Sequence, residues 1–258
     1  MNIVVCCKLA PDAADIEVKR DGSISLERAE WKIGGFDLHA VESAVHLVEE
    51  NGGKVMALCA GPQKINQSKL KKDLLSRGPD ELYLVADEAL AGADTALTAS
   101  VLAQAIRKMG AVDLILFGEG SADLYFQQTG LQVGERLGLP TLNAVSKIEV
   151  EGGKLVIERS LENEVEVLEV GLPAAFSVTT DINQPRLPGM KEILKAGKKP
   201  VTEWSLADVG VSYPVENRVK VLQTLAPHRK QRKHVVIGGT AQEAARALVD
   251  YLTKEGLI

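Results

Sequence analysis

The sequence predicts an α/β fold: a parallel-sheet, adenine-nucleotide-binding-like (Rossmann-like) domain with antiparallel additions and a C-terminal arm. Three observations carry this. Over the first 140 residues, short apolar runs alternate with segments of helical periodicity. After residue 140, short alternating strands follow one another with turn residues between them. From residue 181 the chain turns rich in proline and extended in character. Strands separated by helices of 10 to 15 residues require right-handed crossovers and hence a parallel sheet.

NIVVCC (2–7) is a short apolar run, read as a buried strand. Between Phe36 and Glu50 the apolar residues recur at i, i+3 and i+4, a helix stopped by Asn51-Gly52-Gly53. KVMALCA (54–60) is the second strand, and Asn66 to Arg77 a helix closed by Gly78-Pro79. ELYLVA (81–86) is the third strand. Asp94-Thr95 can cap a long helix to about Met109, with Gly110 as its stop. VDLILFG (112–118) is the most apolar strand, as burial on both faces demands. Leu124 to Leu137 reads as a further helix, ended by Gly138 and Pro140. Gly152-Gly153 between KIEVE and KLVIERS signals a hairpin, VEVLEV a third antiparallel strand, and AAFSVTT after Pro173 another apolar strand. Residues 201 to 233 read as an extended connector, and Thr240 to Lys254 as a final amphipathic helix. This divides the chain into a 1–185 nucleotide-binding domain and a 186–258 region of loop, arm and helix suited to gripping another chain.

Composition narrows the function classes. The chain has 258 residues, 45% hydrophobic and 25% charged, which are ordinary globular values. Aromatics are only 4%, so the core is aliphatic. A net charge of −5 disfavours nucleic acid and anionic membrane as partners. HRKQRKH (228–234) is a local exception, but it has no aromatic to stack a base and reads as a solvated strap. Cys6, Cys7 and Cys59 are odd in number and do not suggest a disulfide framework. The opening MNIVVCCKLAPD turns charged at Lys8, too early for a signal peptide, and no run of about 18 apolar residues spans a membrane. A cytoplasmic location without membrane insertion is therefore expected.

In parallel sheets, ligands bind beyond the carboxyl ends of the strands. That directs attention to Lys8–Asp12, Ala60–Gln63 and above all Gly118–Thr129. GEGSAD (Gly118, Glu119, Gly120, Ser121, Ala122, Asp123) follows the strongest strand and leads into a helix. Its glycines either serve turn geometry alone or let backbone N–H groups approach a phosphate. Gln127, Gln128 and Thr129, placed on the first turns of that helix, offer amide and hydroxyl groups to phosphate or ribose. The loop is neither G-x-x-x-x-G-K-[ST] nor G-x-G-x-x-G, so neither a P-loop nor a nicotinamide site is predicted. Asp37, after Gly34-Gly35-Phe36, either caps its helix or reaches a ribose hydroxyl. Catalytic and metal signatures are absent: His39 and His46 are seven apart without an H-E-x-x-H motif. Cys6 and Cys7 alternate to opposite faces of a strand and form no redox pair. A nucleotide-type pocket without acid or base machinery points to binding rather than catalysis.

The residues together resemble the beta subunit of electron transfer flavoproteins, closest to the Fix-type branch and its bacterial relatives linked to acyl-CoA and carnitine metabolism. The resemblance spans nearly the whole chain. It rests on IVVCCKLAPD, GGFDLHAVESA, KKDLLSRGPDELYLV, LILFGEGSADLYFQQTGLQVGERLGLP, and TTDINQPRLPGMKEILKAGKKPV with its WSLADVG continuation. It implies a heterodimer with an alpha subunit that carries most of the FAD, with AMP buried in this subunit, or FAD in electron-bifurcating members. The nucleotide loop then falls on Gly118 to Asp123 with Gln127, Gln128 and Thr129. The family's Asn-Pro-Phe segment falls on Gly34, Gly35 and Phe36, followed by Asp37, and its strand-end contacts on Cys6 and Ala60. The partner-recognition loop falls on Leu187 to Lys195 (Leu187, Pro188, Gly189, Met190, Ile193 and Lys195), with Met190 in place of its projecting Leu. It would dock an acyl-CoA dehydrogenase. Leu124 and Tyr125 are bulky where bifurcating members carry Gly and Asp, which favours AMP. A tyrosine that approaches the flavin in some members falls on Ala13, leaving Phe36 as the aromatic group. The competing readings are a bifurcating subunit that binds FAD and oxidises NADH, and a stand-alone nucleotide-binding module.

Overall fold

The structure, a computed structural model, describes residues 1–227 and 233–258; most of the basic 228–234 segment lies outside the described residues. The strands are β1 (Asn2–Cys6), β2 (Leu9–Pro11), β3 (Glu17–Val18), β4 (Ile24–Ser25), β5 (Trp31–Ile33), β6 (Lys54–Gly61), β7 (Glu81–Ala86), β8 (Leu114–Gly118), β9 (Thr141–Glu151), β10 (Lys154–Ser160), β11 (Val165–Val170), β12 (Ala174–Val178) and β13 (Val201–Trp204). The helices are α1 (Gly35–Asn51), α2 (Ser68–Ser76), α3 (Thr95–Met109), α4 (Thr129–Leu137), α5 (Met190–Ala196) and α6 (Ala241–Lys254).

Nine strands form one sheet in the order β11-β10-β9-β12-β8-β1-β6-β7-β13. From β9 to β13 across the sheet every neighbour is parallel. The expected antiparallel addition is present at one edge only, where β10 pairs with β9 and β11. Its hairpin turns at Gly152-Gly153, both with positive φ.

The strands at the centre are buried on both faces, which explains their unbroken apolar sequence. Alternation along β1 sends Ile3 and Val5 to one core and Val4 and Cys6 to the other. The first core packs α1, α2 and the end of α5 on one face, and the second packs α3 and α4 on the opposite face. Cys6 and Cys7 are divided between the two cores, as strand periodicity requires. Helix α4 approaches the sheet closely because it presents glycine. A Cβ at Gly134 would lie 1.9 Å from Thr141 Oγ1, and one at Gly130 would lie 2.5 Å from Ser177 Oγ.

Three expectations are corrected. The helix read from Leu124 begins only at Thr129; residues 124–128 are a loop, with positive φ at Tyr125 (49°) and Gln127 (54°). The apolar Leu124-Tyr125-Phe126 mimics helical patterning, but all three side chains are about half exposed and none enters the helix-packed core. The stretch from 201, read as connector, opens with β13, which joins the sheet beside β7. It is a four-residue edge strand with alternating burial, too short for its period to stand out. The segment from 181 also contains α5. In addition, residues 9–33 form two small antiparallel pairs, β2 with β5 and β3 with β4, which the sequence did not signal.

Candidate functional site

The chain runs from β1 outward to β6 and β7, then returns to β8 on the other side of β1. The strand order therefore reverses between β1 and β8. In open α/β sheets the crevice at such a switch point, beyond the carboxyl strand ends, is where ligands bind. A cleft of about 320 Å³ lies there.

Asp37 organises its floor. It sits in the first turn of α1 and is buried. Its Oδ2 accepts from the Lys8 backbone N–H at 2.8 Å and its Oδ1 from the Gly118 N–H at 3.3 Å. The carboxyl group thus joins the ends of β1 and β8 across the switch point. It does not cap its own helix: Gly34 holds the N-cap position, without a side-chain bond. Burial pushes the Asp37 carboxyl up to about 7, against the partial opposition of the two N–H donors. Glycine at 118 is required by this packing, since a Cβ there would lie 2.6 Å from the Phe36 carbonyl carbon and 2.8 Å from Asp37 Oδ1.

Lys8 is the one cation lining the cleft among the described residues. Its ammonium pairs with Asp123 at 2.6 Å. Burial raises Asp123, but the hydrogen bond and charge of Lys8 outweigh it and hold the carboxyl below its usual range.

Besides α1, helices α3 and α4 start at the cleft, and they differ in how their first amides are satisfied. At α3, Asp94 Oδ1 accepts from Leu97 N–H at 2.8 Å, an ordinary N-cap. At α4, Gln128 occupies the N-cap and makes no side-chain bond to the first-turn amides. Gln127, Gln128, Thr129 and Gly130 all line the cleft. The α4 N-terminus is therefore an uncapped set of N–H donors at the cleft wall, a setting that favours an anion.

Of the residues singled out in the sequence, Cys6, Asp37, Ala60, Gly118, Glu119, Gly120 and Ser121 line the cleft. So do Asp123, Gln127, Gln128 and Thr129. Gly34, Phe36 and Ala122 are not among the lining residues. Phe36 instead packs on Tyr125, ring centres 5.0 Å apart, and Tyr125 in turn covers Gly120, where a Cβ would lie 2.5 Å from its ring. Gln127 is not on the helix as expected but in the loop before it.

Sequence reading missed Trp31, Thr95, Thr98 and Val221 as lining residues, whereas Lys8 opens the Lys8–Asp12 segment to which it pointed. Lys8 directly follows a predicted strand, which was a usable signal; Trp31 and Val221 arrive from segments with no recognisable pattern. The Trp31 indole N–H is buried without a hydrogen-bond partner in a residue that lines the cleft.

The partner-loop residues lie apart from the cleft, around α5. Leu187 (89% exposed), Met190 (73%) and Leu194 (70%) project into solvent, Ile193 is exposed too, and Gly189 is the N-cap. The base of this loop is fixed. Arg186 donates from Nε and Nη2 to the buried Glu42 carboxylate at 2.9–3.1 Å, its backbone N–H adds a third contact at 3.0 Å, and Nη1 reaches Glu49 at 2.8 Å. Asn183 holds the His39 carbonyl and the Ser43 hydroxyl. His39 and His46 serve this contact region: His39 Nδ1 lies 3.0 Å from the Asn183 carbonyl and His46 Nε2 lies 2.7 Å from Glu42.

The family model described as electron transfer flavoprotein domain matches residues 22–209 of this chain.

Proposed function

Because the chain belongs to the electron transfer flavoprotein domain family, we propose that it is the beta-type subunit of a heterodimeric electron carrier. It holds AMP in the switch-point cleft and presents α5 to an acyl-CoA dehydrogenase. The observation that carries the nucleotide reading is the uncapped N-terminus of α4 opening on the cleft. Its amides suit a phosphate, with the Lys8 ammonium close by. Ser121, Gln127, Gln128 and Thr129 line the same cleft and supply hydroxyl and amide groups for ribose and base, although Gln128 Oε1 already accepts from Thr95 and Gln127 Nε2 already donates to Tyr125. A cleft of about 320 Å³ stands at the small end of ligand pockets, roughly 300–1,000 Å³, and suits a mononucleotide better than FAD. Leu124 and Phe126 are among the side chains that bound it.

AMP does no redox chemistry, so its part here would be structural, held by the residues at the ends of β1 and β8 and at the start of α4 that line the cleft. The electron-carrying group of the family is FAD, held mainly by the alpha subunit in this reading. Phe36, half-buried against Tyr125, is the aromatic side chain offered toward it. Docking is supported by the exposed apolar set Leu187, Met190 and Leu194 on a base clamped by Arg186. Met190→Asp is expected to slow electron transfer from the natural dehydrogenase by at least about tenfold, the effect of losing one apolar anchor, while the heterodimer stays intact by gel filtration. Unchanged transfer rates would remove α5 from the docking surface.

A further inference from the structure

The arm after β13 does not leave the domain directly. It first crosses the carboxyl end of the sheet. The Tyr213 hydroxyl donates to Asp87, at the end of β7. Asn217 Nδ2 donates to the Gly92 carbonyl at 3.1 Å, and Asn217 Oδ1 accepts from Asp94 N–H at 2.8 Å. The backbone N–H groups of Arg218 and Val219 both donate to Asp94 Oδ2, at 2.6 and 2.9 Å. Beyond the cleft, Leu225 pairs with Ser23 and Ala226 N–H donates to the Gly22 carbonyl at 2.9 Å.

Between these two anchorages, residues 220–224 make no hydrogen bond among the described residues, and Val221 lines the cleft. Asp94 thus does two jobs with two oxygens. Oδ1 caps α3, whose Thr95 and Thr98 form one wall of the cleft, and Oδ2 holds the arm.

We propose that residues 213–226 are a strap across the mouth of the cleft, and that Asp94 is the positioning residue that latches it. Resting on the nucleotide reading above, the inference adds that AMP leaves only when the amides of residues 218 and 219 release Asp94. The strap turns Val219, Val221 and Leu222 to solvent, 62%, 72% and 87% exposed.

Two variants separate the latch from the helix cap. Asp94→Asn keeps an oxygen for Leu97 but turns an NH2 group toward the two strap amides. Asn217→Ala loosens the strap without touching the α3 cap. Both are measured in the intact protein purified with its partner chain, by two readouts. The first is the dissociation rate of radiolabelled AMP. The second needs no nucleotide: the rate at which iodoacetamide alkylates Cys6 and Cys7, which line the cleft, relative to Cys59, which is buried behind Cys7 and does not line it.

Both variants are expected to raise both rates, by about tenfold for Asp94→Asn, the equivalent of one to two lost hydrogen bonds. Both rates within twofold of the parent protein would overturn the strap. If the parent protein binds no AMP, the nucleotide reading fails by itself. Alkylation then decides the strap alone: faster labelling of Cys6 and Cys7 in the variants upholds it, and unchanged labelling ends it.

Discussion

Asp37 is buried without a cation of its own, because Lys8 gives it a backbone N–H and sends its ammonium to Asp123. Its carboxyl titrates near 7 in the folded chain and near 3.9 when unfolded. The native state therefore binds that proton more tightly. The resulting stability is present in full below about pH 4 and is lost as pH rises to about 7. Thermal unfolding should show a falling midpoint across that window, and Asp37→Asn should flatten it; equal slopes in both proteins would contradict the assignment. Gly118→Ala meets backbone rather than a mobile side chain. It should cost about 1–3 kcal/mol, as overpacking does, and lower the melting temperature by several degrees in a calorimetric scan. Asp37 was legible as a residue of interest but not in its role. Its two partners come from positions 8 and 118, and no local pattern signals a carboxylate that bridges two strand ends. Asp94 was legible as a helix cap because capping is local; its second oxygen serves residues more than a hundred positions away, which the sequence does not reveal.

Among the elements, α4 shows where periodicity misleads. Leu124, Tyr125 and Phe126 extend its apolar rhythm backward, yet positive φ at Tyr125 and Gln127 breaks the helix before it starts. The stop was readable: Gly138 takes a left-handed conformation (φ 69°) and returns its N–H to the last turn. The glycine contacts of α4 were not readable, since Thr141 and Ser177 reach them only in the folded sheet. Gly134→Ala gains about 0.5–1 kcal/mol of helix propensity but must push Thr141 aside, so a net loss of stability is expected in denaturant unfolding. The loop before α5 depends on one clamp. Arg186→Ala strips the buried Glu42 of its bidentate guanidinium partner, leaving it the backbone N–H of residue 186 and the His46 imidazole. A cost of about 1–3 kcal/mol is expected, the range for an unsatisfied buried group, together with faster proteolysis between residues 183 and 195. Protection equal to the parent protein would show that the clamp does not order the loop.

For the whole molecule, the alternation of apolar runs and helices was enough to give the parallel sheet and hence a site at its carboxyl edge. Strand order was not legible, and it is the reversal between β1 and β8 that fixes the cleft. The C-terminal helix was legible from its spacing; the Thr240–Glu243 capping box that fixes its start is a finding of the structure. None of its residues is buried, and Leu248, Val249 and Tyr251 face solvent. Such a surface calls for a partner more than for a place in this core. Removing residues 240–258 should leave the melting temperature of the isolated chain within about 2 °C, the shift expected for about 0.5–1 kcal/mol, while abolishing heterodimer formation. The most direct test of the central claim is the nucleotide and flavin content, after acid release, of the complex purified with its partner chain. One AMP and one FAD per heterodimer is the predicted result. Two FAD and no AMP would contradict it and place a flavin in the switch-point cleft.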